Sequence, residues 1–419
     1  TLLEGWPLNI DNNFFINGIT IANLDGIGNL EIIASERISS TEGRIHALGL
    51  NAESISMHWP VTIPGTPAFT PSVGEINNDQ VVDLVTSTTT ALYAFDATGG
   101  ILPGFPVTED GAKFSYQSPI LADLDGNDKR EIITARHNDA PGTVVVNSAG
   151  EYHGQWPDYD NGWTFATPAV VDIDGDQQYE IFYPRPFISE TNPSDVVLAY
   201  TNQGFPIEDF RIIDLIGSEG ILAIADIDND SDYEIITASN GAVGGMGMIN
   251  AYHFENGNAV SNFPIFVEGF TLLNGASLGD IDKDGLLDLT ALSYQLKFNS
   301  SSPDSAFVNA FDLGVPYDEN TILWNGYKNS NSHDGKINRL VTNVSEEAKL
   351  LEVIYPNPAT SRIYLRNFSW VDGEYMIYKM DGKMLRSGAI NSGEIDLEGL
   401  PSGLHLLKID GEVFKFVKL

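Results

Sequence analysis

The feature that most narrows what this chain can fold into is an acidic nine-residue segment that recurs six times. The copies are NLDGIGNLE (23–31), EINNDQVVD (75–83), DLDGNDKRE (123–131), DIDGDQQYE (172–180), DIDNDSDYE (226–234) and DIDKDGLLD (280–288), and their first residues stand 52, 48, 49, 54 and 54 positions apart. A short apolar run precedes each copy (SPILADL, ILAIADI) and a β-branched run follows it (EIITA, EIFYP). A second apolar run then ends in a polar turn, as in DVVLAYTNQG. Short runs of this kind, bounded by Gly, Asn and Asp, read as strands. An aromatic residue before proline adds further punctuation: GWP (5–7), HWP (58–60), GFP (104–106), QWP (155–157), GFP (204–206) and NFP (262–264). A repeat of about 50 residues with three or four strands has the length of one propeller blade.

A small sheet that is apolar on both faces cannot bury them alone, whereas sheets stacked around an axis cover both at once. The expected fold is therefore all-β, a β-propeller over residues 1–330 with six sequence-evident blades. GWPLNI at the start and TILWNGYKN (321–329) are spare outer-strand segments that close the ring or build a composite seventh blade. Residues 331–349 are polar and predict an exposed linker. Residues 350–419 alternate apolar and polar positions around Gly-containing turns, which predicts a small antiparallel, Ig-like β-sandwich. Charge divides the chain at the same place. The net charge is −36, yet from Leu350 onward nine acidic residues meet eight basic ones, so nearly all of the excess lies in the repeats.

Within the acidic segments from the second onward, positions 1, 3, 5 and 9 carry oxygen side chains, and position 7 can offer a backbone carbonyl. Four or five oxygens plus water suit Ca²⁺, which takes 6–8 oxygen ligands at about 2.3–2.6 Å, better than Mg²⁺ with its strict octahedron. Full sets occur at Asp172, Asp174, Asp176, Glu180, at Asp226, Asp228, Asp230, Glu234, and at Asp280, Asp282, Asp284, Asp288. The set Asp123, Asp125, Asn127, Glu131 has one charge fewer, and Glu75, Asn77, Asp79, Asp83 begins with a longer side chain. The first segment (Asn23, Asp25, Ile27, Glu31) has Ile where an oxygen is needed, so about five structural Ca²⁺ sites are expected.

These loops, their place between strands and the repeat length resemble the FG-GAP or VCBS-type calcium-binding repeats of integrin-α-like β-propellers, although the literal Phe-Gly and Gly-Ala-Pro signatures are absent. The resemblance implies that the calcium is structural and that the propeller is a recognition platform. The tail resembles the C-terminal sorting domain of the type IX secretion system of Bacteroidota. The matching residues are Tyr355, Pro356, Asn357 and Pro358, the turn at Asp381, Gly382 and Lys383, Gly403 before a strand, and a basic-apolar terminus with Lys415 and Lys418. That resemblance implies export across the outer membrane, with the type IX machinery as partner and a secreted or cell-surface location.

The acidic balance argues against a nucleic acid or anionic membrane partner and for cationic, neutral or metal ones. There are no cysteines, hence no disulfides or thiolate metal sites. No run approaches the roughly 20 apolar residues of a membrane span. The start, TLLEGWPLNI, has no basic region followed by an apolar core, as expected of a mature or trimmed form.

Seven histidines (46, 58, 137, 153, 253, 333, 405) are scattered at no metal-ligand spacing, and neither a phosphate loop nor a Gly-x-Ser-x-Gly elbow is present. The expectation is no catalytic residue and a binding or adhesion module. Its ligand, a glycan or surface protein, would meet the long connections 184–195, 239–247 and 293–306, through Arg185, Phe187, Tyr294, Lys297 and Phe298. The alternatives are a carbohydrate-active lyase or hydrolase using the same face, and a non-catalytic fragment of a larger surface protein.

Overall fold

The computed structural model describes the chain apart from residues 1–2, 10–13, 16–17, 109–111, 115–116, 139–141, 158–165, 188–190, 208–209, 273, 298–303, 331, 338–352, 356–358, 367–372, 380–382, 391–393 and 410–411. It is all-β, and its helical content among the described residues is confined to two short 3₁₀ turns. Two compact units emerge, Thr1–Leu340 and Val341–Leu419.

In the first unit each acidic segment joins the first and second strands of an antiparallel sheet. Sheet one holds Thr20–Ala22, Glu31–Arg37, Glu42–Leu48 and Val61–Pro64, with Phe14–Phe15 also on its second strand. Sheet two holds Ser72–Gly74, Asp83–Ser87 and Leu92–Asp96, and sheet three Ile120–Ala122, Glu131–Asn138 and Gly142–Val146, with Ala112–Phe114 on its second strand. Sheet four holds Ala169–Val171, Glu180–Pro184, Ser194–Thr201 and Ile212–Asp214. Sheet five holds Ala223–Ala225, Glu234–Ala238, Met246–His253 and Ile265–Glu268, and sheet six Ala276–Gly279, Leu286–Gln295 and Ser305–Pro316. The register repeats without slippage: Ile21 faces Ile32, Val73 Leu84, Leu121 Ile132, Val170 Ile181, Ile224 Ile235 and Leu278 Leu289. A one-residue slip would turn these apolar side chains to the other face, so the packing each face makes with its own neighbours fixes the pairing.

Neighbouring sheets share cores. Leu24, Ile33 and Ile45 of sheet one pack with Leu84, Tyr93 and Phe95 of sheet two, and Ile76, Val85 and Leu92 continue to Leu121, Ile132 and Val144 of sheet three. The largest cluster joins sheets three, four and five, and another joins five to six through Ile236, Ile249, Leu278 and Leu289. The aromatic-proline marks belong to this stacking. Gly104, at φ +88°, lies so close to Ala149 that an added Cβ would stand 1.9 Å from its carbonyl oxygen, so only glycine lets the turn after Leu102 lie on the next sheet's turn.

Three expectations need correction. Ile322–Trp324 is not an outer strand: it pairs antiparallel with Ala223–Ala225, the first strand of sheet five. The chain then visits other first strands in turn. Asn325 accepts from the Leu278 N–H and donates to its carbonyl, at 2.8 and 2.7 Å. The carbonyls of Ser332, Asp334 and Gly335 accept from the N–H groups of Ile21, Val73 and Leu121, each at 2.8 Å. Residues 332–337, expected within the exposed linker 331–349, are thus bonded to sheets one, two and three. Lys328 anchors this strap: 1% exposed, its Nζ donates to the carbonyls of Pro71, His333 and Thr70 at 2.9, 2.9 and 3.3 Å. The Tyr327 hydroxyl joins Thr70 Oγ1 and Ser118 Oγ at 2.6 and 2.7 Å. At the start of the chain, Trp6 Nε1 donates to the Leu50 carbonyl at 2.7 Å, so GWP lies on sheet one's turn. Sheet six, moreover, keeps one face open, with Leu292 52% and Val308 81% exposed. The expected covering of the end faces is not seen there among the described residues.

The second unit has two antiparallel sheets, one of Val353–Tyr355, Arg362–Arg366 and Glu394–Asp396 and one of Gly373–Lys379, Met384–Ile390, Gly403–Ile409 and Glu412–Lys418. Ile363 and Ile395 of the first share a core with Ile377, Leu407 and Phe416 of the second.

Candidate metal centres

All six acidic loops have one backbone form. Position 4 (Gly26, Asn78, Gly126, Gly175, Asn229, Lys283) and position 6 (Gly28, Gln80, Asp128, Gln177, Ser231, Gly285) have positive φ. Left-handed turns at these two places swing successive side chains inward, and Gly, Asn and Asp tolerate them best. The position-1 carboxylate gathers the loop's amides: Asp123 accepts from Gly126, Asn127 and Asp128, and Asp280 from Asp284 and Gly285. Position 9 closes the loop, its carboxylate accepting from the position-2 N–H at 2.7–3.0 Å in every copy: Glu31 to Leu24, Asp83 to Ile76, Glu131 to Leu124, Glu180 to Ile173, Glu234 to Ile227 and Asp288 to Ile281. Loop one shares this frame, and only Ile27 interrupts its oxygen set.

Burial of these carboxylates is costly. Asp83, Glu131, Glu180 and Glu234 are pushed up to about 7, first by burial and then by neighbouring acids of the same loop, against the lowering effect of the position-2 amide. At Asp282, on the exposed side, Asp284 is the main cause of the rise. A buried oxygen left without a donor adds to the cost. Asp83 Oδ1, Asp172 Oδ1 and Asn23 Oδ1 are such atoms, all at ligand positions of three different loops. A cation placed among the loop oxygens would meet those lone pairs and offset the repulsion, so the residues present fit one. Asp172, Asp174 and Glu180, Asp226, Asp228 and Asp230, and Asp280, Asp282 and Asp288 each bring ligand oxygens within 4.8 Å of one another. Loops two and three keep their oxygen sets at Glu75, Asn77, Asp79, Asp83 and Asp123, Asp125, Asn127, Glu131, and loop two is tightened where Asn78 N–H donates to Glu75. A cleft of about 470 Å³ opens between loops four and five, lined by Asp172, Asp174, Asp232, Tyr233 and Phe254.

Two histidines that the sequence reading passed over reach these loops. Asp125, Glu131 and His153 form one cluster and Asp228, Glu234 and His253 another. The signal that would have found them is comparison between copies, because spacing along the chain carries none.

The residues expected to bind a ligand are only partly free. Arg185 Nη1 donates to Ser194 Oγ at 2.7 Å, and Phe187 packs against the core. The Tyr294 ring lies 6.4 Å from Phe270, and the Lys297 amide donates to Asp304 at 2.8 Å. Phe298 lies outside the described residues. The structure does bring these connections together, since the Gly217 N–H donates to the Phe187 carbonyl and Asn240 N–H to that of Gly217. It also adds Val243, Met246, Phe270 and Leu296, which are 52, 37, 39 and 41% exposed. Isolated bridges join Val243 to Met246 and Phe270 to Tyr294, so this is one apolar rim on sheets five and six.

Of the sorting-signal residues, Tyr355 ends the strand Val353–Tyr355, Gly403 (φ +134°) opens Gly403–Ile409, and Lys415 and Lys418 lie in the last strand. Lys383 is exposed beside that sheet. Pro356, Asn357, Pro358 and Gly382 lie outside the described residues.

No curated protein matches the chain. Among solved structures, the V. cholerae biofilm matrix protein Bap1 is similar at 13% identity and TM-score 0.47, over 100% of this chain and 69% of that one. PorZ, an essential bacterial surface component of the type IX secretion system of Porphyromonas gingivalis, is similar at 12% and 0.31, over 93% and 58%. BBS1N, solved in complex with ARL6DN, is similar at 15% and 0.26, over 66% and 89%. No described helix is long and apolar enough to cross a membrane. Residues 353–418 match the family model of the secretion system C-terminal sorting domain, and the protein that carries it is one exported by the type IX system and secreted or held at the cell surface.

Proposed function

We propose that residues 1–340 are a calcium-stabilised β-propeller of the FG-GAP type and that it serves, outside the cell, as a binding or adhesion module. One observation carries the propeller reading. In 14 residues the strap from Trp324 to Ile337 bonds first strands of sheets five, six, one, two and three in that order, and Trp324 itself packs with Val170 of sheet four. So short a segment touching six sheets supports an arrangement of their first strands around one axis. The orphaned oxygens of Asp83 and Asp172 support the calcium.

The binding face is the rim of Val243, Met246, Phe270, Tyr294 and Leu296, away from the acidic loops. Apolar groups gathered on a rigid sheet end suit a glycan ring face or an apolar protein surface. The test is binding of the purified chain to immobilised glycans and envelope proteins, with and without chelator, beside a product assay on each hit. Calcium-dependent capture that is lost on Phe270→Ala with Met246→Ser, without turnover, is the expected result. Turnover of a captured sugar would move the reading to an enzyme.

A further inference from the structure

The two histidines at the acidic loops break the repeat in a way that turn or core roles do not explain. The position of His153 is set by its N–H bond to the Val145 carbonyl, and the same bond is made in other sheets by Ile55 to Ala47, Leu102 to Ala94, Ile207 to Ala199 and Val260 to Ala251. Four apolar residues thus fill the place where sheet three has an imidazole. Its Nδ1 stands 4.0 Å from Glu131 Oε1, and its Nε2 lies 3.2 Å from Gln203. His253 arises at a different place, directly across from position 9 of its own loop, where sheet two has Asp96 and sheet six Asp312. Those two acids accept amides of the following turn. His253 instead turns its Nδ1 to Glu234 Oε1, at 3.0 Å.

Two unrelated strand positions therefore bring an imidazole to the same pair of loop oxygens, a buried position-9 Glu and an exposed position-3 Asp. Imidazole is a poor ligand for Ca²⁺ and a good one for borderline ions of the Zn²⁺ kind, which take mixed His and carboxylate sets at about 2.0–2.2 Å. Donors around a tetrahedral ion of this kind stand about 3.4 Å apart, and the three donors of each cluster, all within 4.8 Å of one another, need only a small side-chain adjustment to close on one. In loop five the oxygen set Asp226, Asp228, Asp230 adjoins this cluster and shares Asp228 with it.

We propose that loops three and five hold a Zn²⁺-class cation through Asp125, Glu131, His153 and Asp228, Glu234, His253, while loops two, four and six, which have no imidazole in reach among the described residues, take the hard cation. The proposal rests on the reading of the loops as cation sites, and deepens it by dividing them into two chemical kinds.

The test uses the full chain, stripped with chelator and titrated with Zn²⁺ in excess Ca²⁺. Two tight Zn²⁺ per chain are expected. His153→Leu restores the apolar residue of the other sheets, and His253→Asn puts in the residue that sheet three has at that place, Asn147. Each is expected to remove one Zn²⁺ or weaken it by about tenfold or more, with Ca²⁺ uptake at loops two, four and six unchanged. Zn²⁺ binding that both variants leave intact overturns the proposal, as does an absence of tight Zn²⁺. X-ray absorption on the Zn²⁺-loaded wild type, independent of the variants' folding, should show one imidazole nitrogen per metal, and an all-oxygen shell overturns it. Failure of Ca²⁺ to bind while Zn²⁺ does would count against the calcium reading alone.

Discussion

A buried lysine amine bonded to three backbone carbonyls shows how one side chain can decide whether a segment stays in place. Lys328 sits at φ +56°, a strained conformation for a residue with a Cβ, and its Nζ is the donor for Thr70, Pro71 and His333, although burial pushes its pKa well down against the pull of Asp334. Lys328→Met keeps the stem and leaves those carbonyls without it, so a loss of about 3 kcal/mol is expected in denaturant unfolding of the first unit. A loss under about 0.5 kcal/mol would mean that water replaces the amine. The position-9 acids predict a pH dependence. Asp83, Glu131, Glu180 and Glu234 hold their protons to about 7 when folded, against 3.8 for Asp and 4.5 for Glu unperturbed. Their folded values are raised, so without cations their contribution is complete below the unperturbed values and is lost as pH climbs through 7. A cation needs the deprotonated form, so its affinity grows over the same window. Melting at about pH 5 and about pH 8 should show the chelated protein weaker at the higher value and the Ca²⁺-induced gain larger there. A chelated melting temperature that is flat across that range would contradict the burial argument.

At the scale of the loop, frame and ligand set are separable. Loop one has the frame, with Gly26 and Gly28 at positive φ and Glu31 closing on Leu24, but not the oxygen at position 5. Ile27→Asp is expected to raise the cation stoichiometry by one, as read by calorimetric titration. At loop four, Glu180→Gln keeps an acceptor for the Ile173 amide and removes the charge, so it should lose one cation with little change in cation-free stability. Glu180→Ala loses both, at about 1 kcal/mol more. Much of this was legible in the sequence, because strand, loop and register are local and recur six times in phase. The strap was not. Residues 325–337 are polar and without periodicity, and their partners lie up to 314 positions away, as between His333 and Ile19, so nothing in the segment names the strands it joins. His153 and His253 were missed for a related reason: their carboxylates are across a sheet or a turn, and chain spacing does not register that.

For the whole molecule, the dominant expectation is that chelation unlocks the first unit. A single site at a hundred times its dissociation constant adds about 2.7 kcal/mol, or about 4 °C in a domain of this size, and several act together. The second unit has its own core of Ile377, Leu407 and Phe416, so its melting should not respond to chelator. Deleting residues 353–418 should leave the first unit's calcium-dependent melting unchanged while stopping release to the surface, which fractionation of the producing cells would read. The exposed face of sheet six, with Leu292 and Val308, went unforeseen because the sequence of Ser305–Pro316 alternates like any covered strand, and what covers a face is a property of its neighbours.

The strap also decides how the first unit would meet a mechanical load. Tension applied past Ile337 would enter at the first strands of sheets one, two and three, whose amide bonds to residues 332–337 would share it. An outer strand pulled from its end would unzip one bond at a time. A pull that enters several sheets together would have to break their bonds in parallel, so the strap should make the first unit hard to peel from that end.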